Sequence, residues 1–289
     1  MEPGPPRAIK QLRFAESGIE LTLEEQEHTL ADAESMQSNL WPCAAFLCRS
    51  LQDGRTLFPA RDETDPCRRR LVVELGSGCG ACGLVAAKHL DADVIFTDYP
   101  QLLQLLERNA QRNGVTASAH VRALEWGAAE AEAFVSGLPA ELSRRPIDMI
   151  IGSDITAFVQ TLDELEATIH RLAIADHTQV CLAHHNRGGD LRYVLEAFGR
   201  RFAIERLTPA WHHSPEHVLL RLRKRRDGET SNVGGARSDS ACSDERSAAE
   251  PPPDEVPEEI IRAAAVRGSV RDLAELKRRL ALSGGPAAL

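Results

Sequence analysis

The residues Glu74-Leu75-Gly76-Ser77-Gly78-Cys79-Gly80 set three glycines at alternate positions directly after the apolar run Leu71-Val72-Val73. Glycine has no Cβ, so such a run can turn sharply and let a ligand lie against bare backbone. A helix that follows presents unpaired N–H groups to the same ligand. Asp98 ends the next apolar run, Val94-Ile95-Phe96-Thr97, and is the residue type that accepts two hydrogen bonds from a ribose diol. The chemistry implied is the binding of an adenosine-bearing cofactor. Gly78-Cys79-Gly80-Ala81-Cys82-Gly83 also fits G-x-G-x-x-G, with Asp98 twenty positions after Gly78, the spacing of a dinucleotide fingerprint. That reading leaves Glu74 and Gly76 without a role. A tight turn that binds nothing is the remaining alternative.

A second candidate is Asp154. It follows Asp148-Met149-Ile150-Ile151-Gly152-Ser153, at the carboxyl end of an apolar run, where open α/β sheets place ligands. Cys79 and Cys82 form a C-x-x-C, but inside a glycine turn small side chains serve as filling rather than as a redox pair. The pairs His184-His185 and His212-His213 do not chelate, because adjacent residues of extended chain point opposite ways. No metal is expected.

These residues need elements to hold them. From Arg68 to Arg225 strand-length apolar runs alternate with segments of helical period, the pattern of a parallel α/β sheet. Strands are expected at 71–75, 94–97, 119–124, 147–151 and 179–183, with 202–207 and 217–222 as a closing antiparallel pair. Helices follow the glycine loop, run through Leu102 to Ala110 up to the stop Asn113-Gly114, and carry Leu162, Leu165 and Ile169. Asn109 and Asn113 are expected to serve the helix that contains them. Residues 1–40 read as an extension with short strands and 41–225 as the enzyme domain. Residues 226–258, acidic and Pro-rich, read as a disordered linker, and 259–289 as an amphipathic helical segment able to dock a partner.

The chain has 289 residues, 43% of them hydrophobic, enough for one sizeable core. Its net charge of −9 argues against binding nucleic acid and suits a basic substrate segment. Seven scattered cysteines suggest a reducing compartment, the cytoplasm or the nucleus. Neither a secretory signal nor a membrane-length apolar run is evident.

The run Glu74-x-Gly76-x-Gly78-x-Gly80 resembles motif I of the Rossmann-like class I methyltransferases. The resemblance extends over about residues 12–222 and narrows to methyltransferase family 16, the seven-β-strand protein-lysine methyltransferases. It is carried by Leu40-Trp41-Pro42 and the helix after it, Phe96-Thr97-Asp98-Tyr99-Pro100, Leu124-Glu125-Trp126-Gly127 and Asp148 to Asp154. The resemblance implies a mostly parallel seven-stranded sheet with an antiparallel closing strand, and S-adenosylmethionine as cofactor. It implies that Gly76, Ser77 and Gly78 contact the methionine part and Asp98 the ribose, with Trp41, Trp126 and Ser153 lining the site. Transfer to a lysine of a protein substrate is the implied reaction, with Asp154 on the acceptor side helping the amine lose its proton. The family commonly has a Tyr three residues after this Asp; here the position is Ala157, followed by Phe158. That departure keeps two other readings open, a methyltransferase-like cofactor-binding interaction protein impaired in catalysis and a small-molecule methyltransferase.

Overall fold

The computed structural model describes residues 7–26, 39–53, 57, 68–212 and 215–226, which lie within one compact unit spanning Met1–Asp227. The linker and terminal helix expected beyond residue 226, with their partner docking, lie outside the described residues.

The chain opens with a hairpin of β1 (Arg7–Phe14) and β2 (Ile19–Gln26), paired antiparallel from Arg7↔Gln26 to Phe14↔Ile19. After α1 (Pro42–Gln52) come β3 (Arg70–Leu75), α2 (Ala81–His89), β4 (Ala92–Asp98), α3 (Leu103–Arg112) and β5 (Ala119–Ala123). The chain continues through α4 (Ala128–Ser136), α5 (Ala140–Ser143), β6 (Met149–Ser153), α6 (Leu162–Leu172) and β7 (Gln179–His185). It closes with α7 (Leu191–Gly199), β8 (Phe202–Leu207) and β9 (His217–Lys224).

The large sheet has seven strands in the order β5-β4-β3-β6-β7-β9-β8. Strands β3 to β7 pair in parallel, and β9 runs antiparallel to both β7 and β8, as the sequence implies. Side chains alternate across this sheet. Val72, Val94 and Phe96 enter one core layer with Leu47, Val85 and Leu106, whereas Val73, Leu75 and Ile95 enter the other with Leu165, Ile169 and Phe198. Because helices cover both faces, β3 and β4 are buried along nearly their whole length and read as unbroken apolar runs.

Two local expectations change. Helices α4 and α5 were not expected: 128–143 is rich in the helix formers Ala and Glu, but α4 buries only Ala131 and Phe134, too few apolar positions to show a helical period. Asn109 and Asn113 do more than serve their helix: their side chains hydrogen-bond the backbone of β2, so the hairpin is fastened to α3.

What this topology fixes is a crevice. Successive strands run outward from β3 through β4 to β5, then jump to β6 and run the other way. The carboxyl ends of β3 and β6 therefore flank the switch point at which open α/β sheets bind ligands.

Candidate cofactor and acceptor site

At the end of β3 the chain turns through three left-handed glycines, Gly76, Gly78 and Gly80 (φ +58°, +57° and +84°). Gly76 must be glycine on two counts, since a Cβ there would also lie 2.7 Å from Ile155 Cγ2. The turn is fastened to β4 from several directions. Ser77 N–H donates to Thr97 O (3.0 Å), Ser77 Oγ accepts from Thr97 N–H (3.1 Å), and Thr97 Oγ1 donates to Glu74 O (2.7 Å). Asp98 completes the link, accepting from Gly78 N–H at Oδ2 and from Tyr99 N–H at Oδ1, both at 2.8 Å. A carboxylate oxygen accepts more than one hydrogen bond, so the atoms that hold the loop can also grip a diol.

Beneath the loop, Glu74 is buried at 3% exposure and its Oε2 has no hydrogen-bond partner. Burial is the dominant influence and pushes its carboxyl up to about 8, so the acid is mostly neutral at pH 7. A Cβ at Gly83 would fall 2.6 Å from that oxygen and 2.4 Å from Phe96 Cε1, which explains a glycine inside the first turns of α2.

The other rim is built from β6 and β7. Asp154 leaves β6 in a left-handed conformation (φ +57°), its N–H donating to Ala183 O (2.8 Å). Its carboxylate is held in a two-pronged pair by Arg187, through Nη1 to Oδ1 (2.8 Å) and Nη2 to Oδ2. Burial alone would lower the Arg187 pKa, but the hydrogen bonds and charge of Asp154 outweigh it and hold it above the ordinary value. The loops carrying these two residues are tied below by a buried relay. Thr156 Oγ1 meets His184 Nδ1 at 2.8 Å, His184 Nε2 meets Asp190 Oδ1 at 3.1 Å, and that same Oδ1 accepts Arg187 N–H.

Residues 16–198 match the model of a family described as lysine methyltransferase. The chain belongs to this lysine methyltransferase family. It is similar to the EEF1A lysine methyltransferase 3 of Mus musculus, 26% identical over 226 residues that cover 78% of this chain and 81% of that protein. It is similar too to the protein N-lysine methyltransferase METTL21A of Danio rerio, 27% identical over 57% of this chain and 68% of that protein. The protein-lysine methyltransferase METTL21E of Mus musculus is 32% identical over 58% of this chain and 64% of its own length. As a family member the chain is an S-adenosylmethionine-dependent methyltransferase, and the fold, cofactor and reaction class expected from its motifs stand.

Within this lysine methyltransferase the expected site residues fall into two groups and one outlier. Gly76, Ser77, Gly78 and Asp98 form one hydrogen-bonded unit. Trp126, half-buried, stands against it, its Cζ2 3.6 Å from a Cβ at Gly76. Ser153 ends β6, Asp154 follows it, and Ile155 next in the chain packs on Gly76, so the two rims meet. Trp41 is the outlier, 39% exposed at the start of α1, where its carbonyl accepts from Ala44 and Ala45 N–H. Its helix nonetheless reaches toward both sides of the crevice: Cys43 meets the backbone of Asp154, and Ala44 O accepts from Cys82 Sγ (3.6 Å), just past the glycine loop. Cys79 and Cys82 are buried, unoxidised thiols, and Cys82 faces Cys48 of α1 (Sγ to Sγ 3.8 Å). Burial raises the Cys79 thiol, and the Cys48 hydrogen bond followed by burial raises that of Cys82, which makes both poor nucleophiles. Among the described residues no group of three or more His, Cys, Asp and Glu is arranged to hold a metal ion.

Sequence reasoning missed Arg187 and the Thr156–His184–Asp190 relay. The signal for Arg187 was faint: an Arg followed by Gly188-Gly189 just past the carboxyl end of a strand. The relay joins residues 28 positions apart, beyond any local pattern.

Proposed function

We propose that the glycine loop is the donor side of a protein-lysine methyltransferase and that the β6–β7 rim is its acceptor side. Gly76, Ser77 and Gly78 receive the methionine portion of S-adenosylmethionine on bare backbone and Asp98 receives the ribose. Trp126 and Ser153 line the cofactor, and Trp41 caps it from α1. The observation that carries this reading is the Gly78 N–H to Asp98 Oδ2 bond, which holds loop and ribose acid as one unit at the switch point.

When bound, the cofactor would supply a sulfonium methyl group, whose carbon a lysine nitrogen attacks in line as the C–S bond breaks and the neutral thioether leaves. The chain's own residues must deliver that nitrogen without its proton, from a reference pKa near 10.4. Asp154 alone would attract the ammonium form, whereas the Asp154–Arg187 pair carries almost no net charge. That neutral pair favours the free amine and leaves the carboxylate to orient an N–H. The left-handed turn at Asp154 and the Ile155 contact with Gly76 keep this group at a fixed height over the loop.

The test is methyl transfer from radiolabelled S-adenosylmethionine to proteins of a cell extract. The full chain labels discrete protein bands, Asp154→Ala loses labelling at least about 100-fold while binding S-adenosylhomocysteine normally, and Asp98→Ala loses both. Equal labelling by wild type and Asp154→Ala would remove Asp154 from the acceptor side.

A further inference from the structure

Asn109 lies on the buried face of α3 with no exposed surface, a polar residue among Leu105, Leu106 and Ala110. It uses its whole amide. Oδ1 accepts from Glu24 N–H (2.7 Å), and Nδ2 donates both to Glu24 O (3.0 Å) and to Cys79 O in the glycine loop (2.9 Å). Asn113, one turn later, repeats the first two bonds on Thr22, accepting from its N–H (3.0 Å) and donating to its carbonyl (2.9 Å). The repeat is possible because four helical residues rise about 6 Å and two strand residues about 6.6 Å, so amides four apart on a helix match peptides two apart on a strand. The two asparagines thus stand in for a neighbouring strand along β2. Glu24, buried, adds ion pairs to Arg108 and Arg112 of the same helix, each at 2.9 Å.

Asn113 also donates to Asn109 O within the helix (2.8 Å), but of the two asparagines Asn109 alone reaches the glycine loop. The peptide it holds, Cys79–Gly80, lies between two left-handed glycines, and its N–H donates to Ser77 O (2.7 Å) to close the turn. One end of that peptide is fixed by Ser77 and the other by Asn109. A loop of glycines has many backbone conformations available, so each fixed peptide plane removes freedom that ligand binding would otherwise have to remove.

We propose that Asn109 is a positioning residue for the cofactor loop and that it makes the β1–β2 hairpin a working part of the donor site, although the hairpin lies outside the parallel sheet. The proposal rests on the reading that the loop holds S-adenosylmethionine. It has two consequences: a shift of the hairpin at Glu24, where Asn109 is anchored, changes cofactor affinity, and bound cofactor steadies that anchor in return.

Asn113→Ala and Asn109→Ala each remove two hairpin bonds, but only the second frees Cys79 O, so the pair separates loop positioning from loss of stability. Calorimetric titration of the full chain with S-adenosylhomocysteine is expected to give an affinity within about 2-fold of wild type for Asn113→Ala and roughly 10-fold weaker for Asn109→Ala. Amide hydrogen exchange at Gly80, read without ligand, is expected to quicken in Asn109→Ala and not in Asn113→Ala. Equal effects of the two variants in both measurements, or none from Asn109→Ala, overturn the proposal. A wild type that binds no S-adenosylhomocysteine overturns the reading of the loop instead, and the exchange at Gly80 then still decides whether Asn109 positions it. If Asn109→Ala does not fold, the wild type decides: the ligand must slow exchange at Glu24 N–H, held by Asn109, more than at Thr22 N–H, held by Asn113.

Discussion

The two rims of the crevice are built on different principles. The donor rim, from Glu74 to Gly80 with Thr97 and Asp98, is held chiefly by bonds that involve peptide groups: Ser77 with Thr97, Gly78 with Asp98, Gly80 with Ser77. The acceptor rim is held by side chains that meet across loops: Asp154 with Arg187, Thr156 with His184, His184 with Asp190. A rim made of backbone fixes one ligand shape and tolerates almost no substitution. A rim made of side-chain pairs can be re-cut one residue at a time while its strands stay in place, which suits the half proposed to receive the acceptor.

The comparison breaks most sharply at Gly76. A valine there needs a left-handed β-branched residue and sets its Cβ 2.7 Å from Ile155 Cγ2. Gly76→Val is expected to weaken S-adenosylhomocysteine binding by at least about 100-fold by calorimetry, with the sheet's circular dichroism retained. Binding within a few-fold of wild type would mean that the backbone of this rim does not shape the ligand site. Arg187 gives the complementary result. Arg187→Gln leaves the largely buried Asp154 carboxylate without its ionic partner, so methyl transfer should fall by about 10- to 100-fold while affinity for S-adenosylhomocysteine stays within about 3-fold. A loss of donor binding as large as the loss of transfer would show that the rims are one unit and not two.

The same contrast explains how far the sequence could be read. Three alternate glycines after Leu71–Leu75 and an acid closing the next strand state a backbone geometry in residue types, and the parallel sheet follows from the periodicity of the runs between them. Arg187 is invisible in that language, because nothing at 187 announces that it will meet position 154. Asn109 shows an intermediate case. A buried asparagine on an apolar helix face signals that something must satisfy its amide, but only the folded hairpin says what. Trp41 was legible as the start of a helix beside the site, yet its 39% exposure is set by how α1 lies on the sheet.

Glu74 carries the smallest expected effect and the finest test of the donor rim, because it is a charge-bearing side chain inside a backbone-built structure. In the unfolded chain its carboxyl titrates near the ordinary 4.5, whereas in the fold burial holds the proton on until about 8. Between those values the unfolded state binds fewer protons than the folded one, so the fold loses stability as pH rises, by up to about 1.4 kcal/mol per unit from this group. Glutamine has the shape of the neutral acid and no proton to lose. Glu74→Gln should therefore melt close to wild type near pH 5 and several degrees above it near pH 8, by thermal denaturation in matched buffers. A constant difference between the two proteins across that range would mean that Glu74 ionises at its ordinary value. Its buried oxygen would then need a donor, and the loop above it would owe part of its shape to a charge.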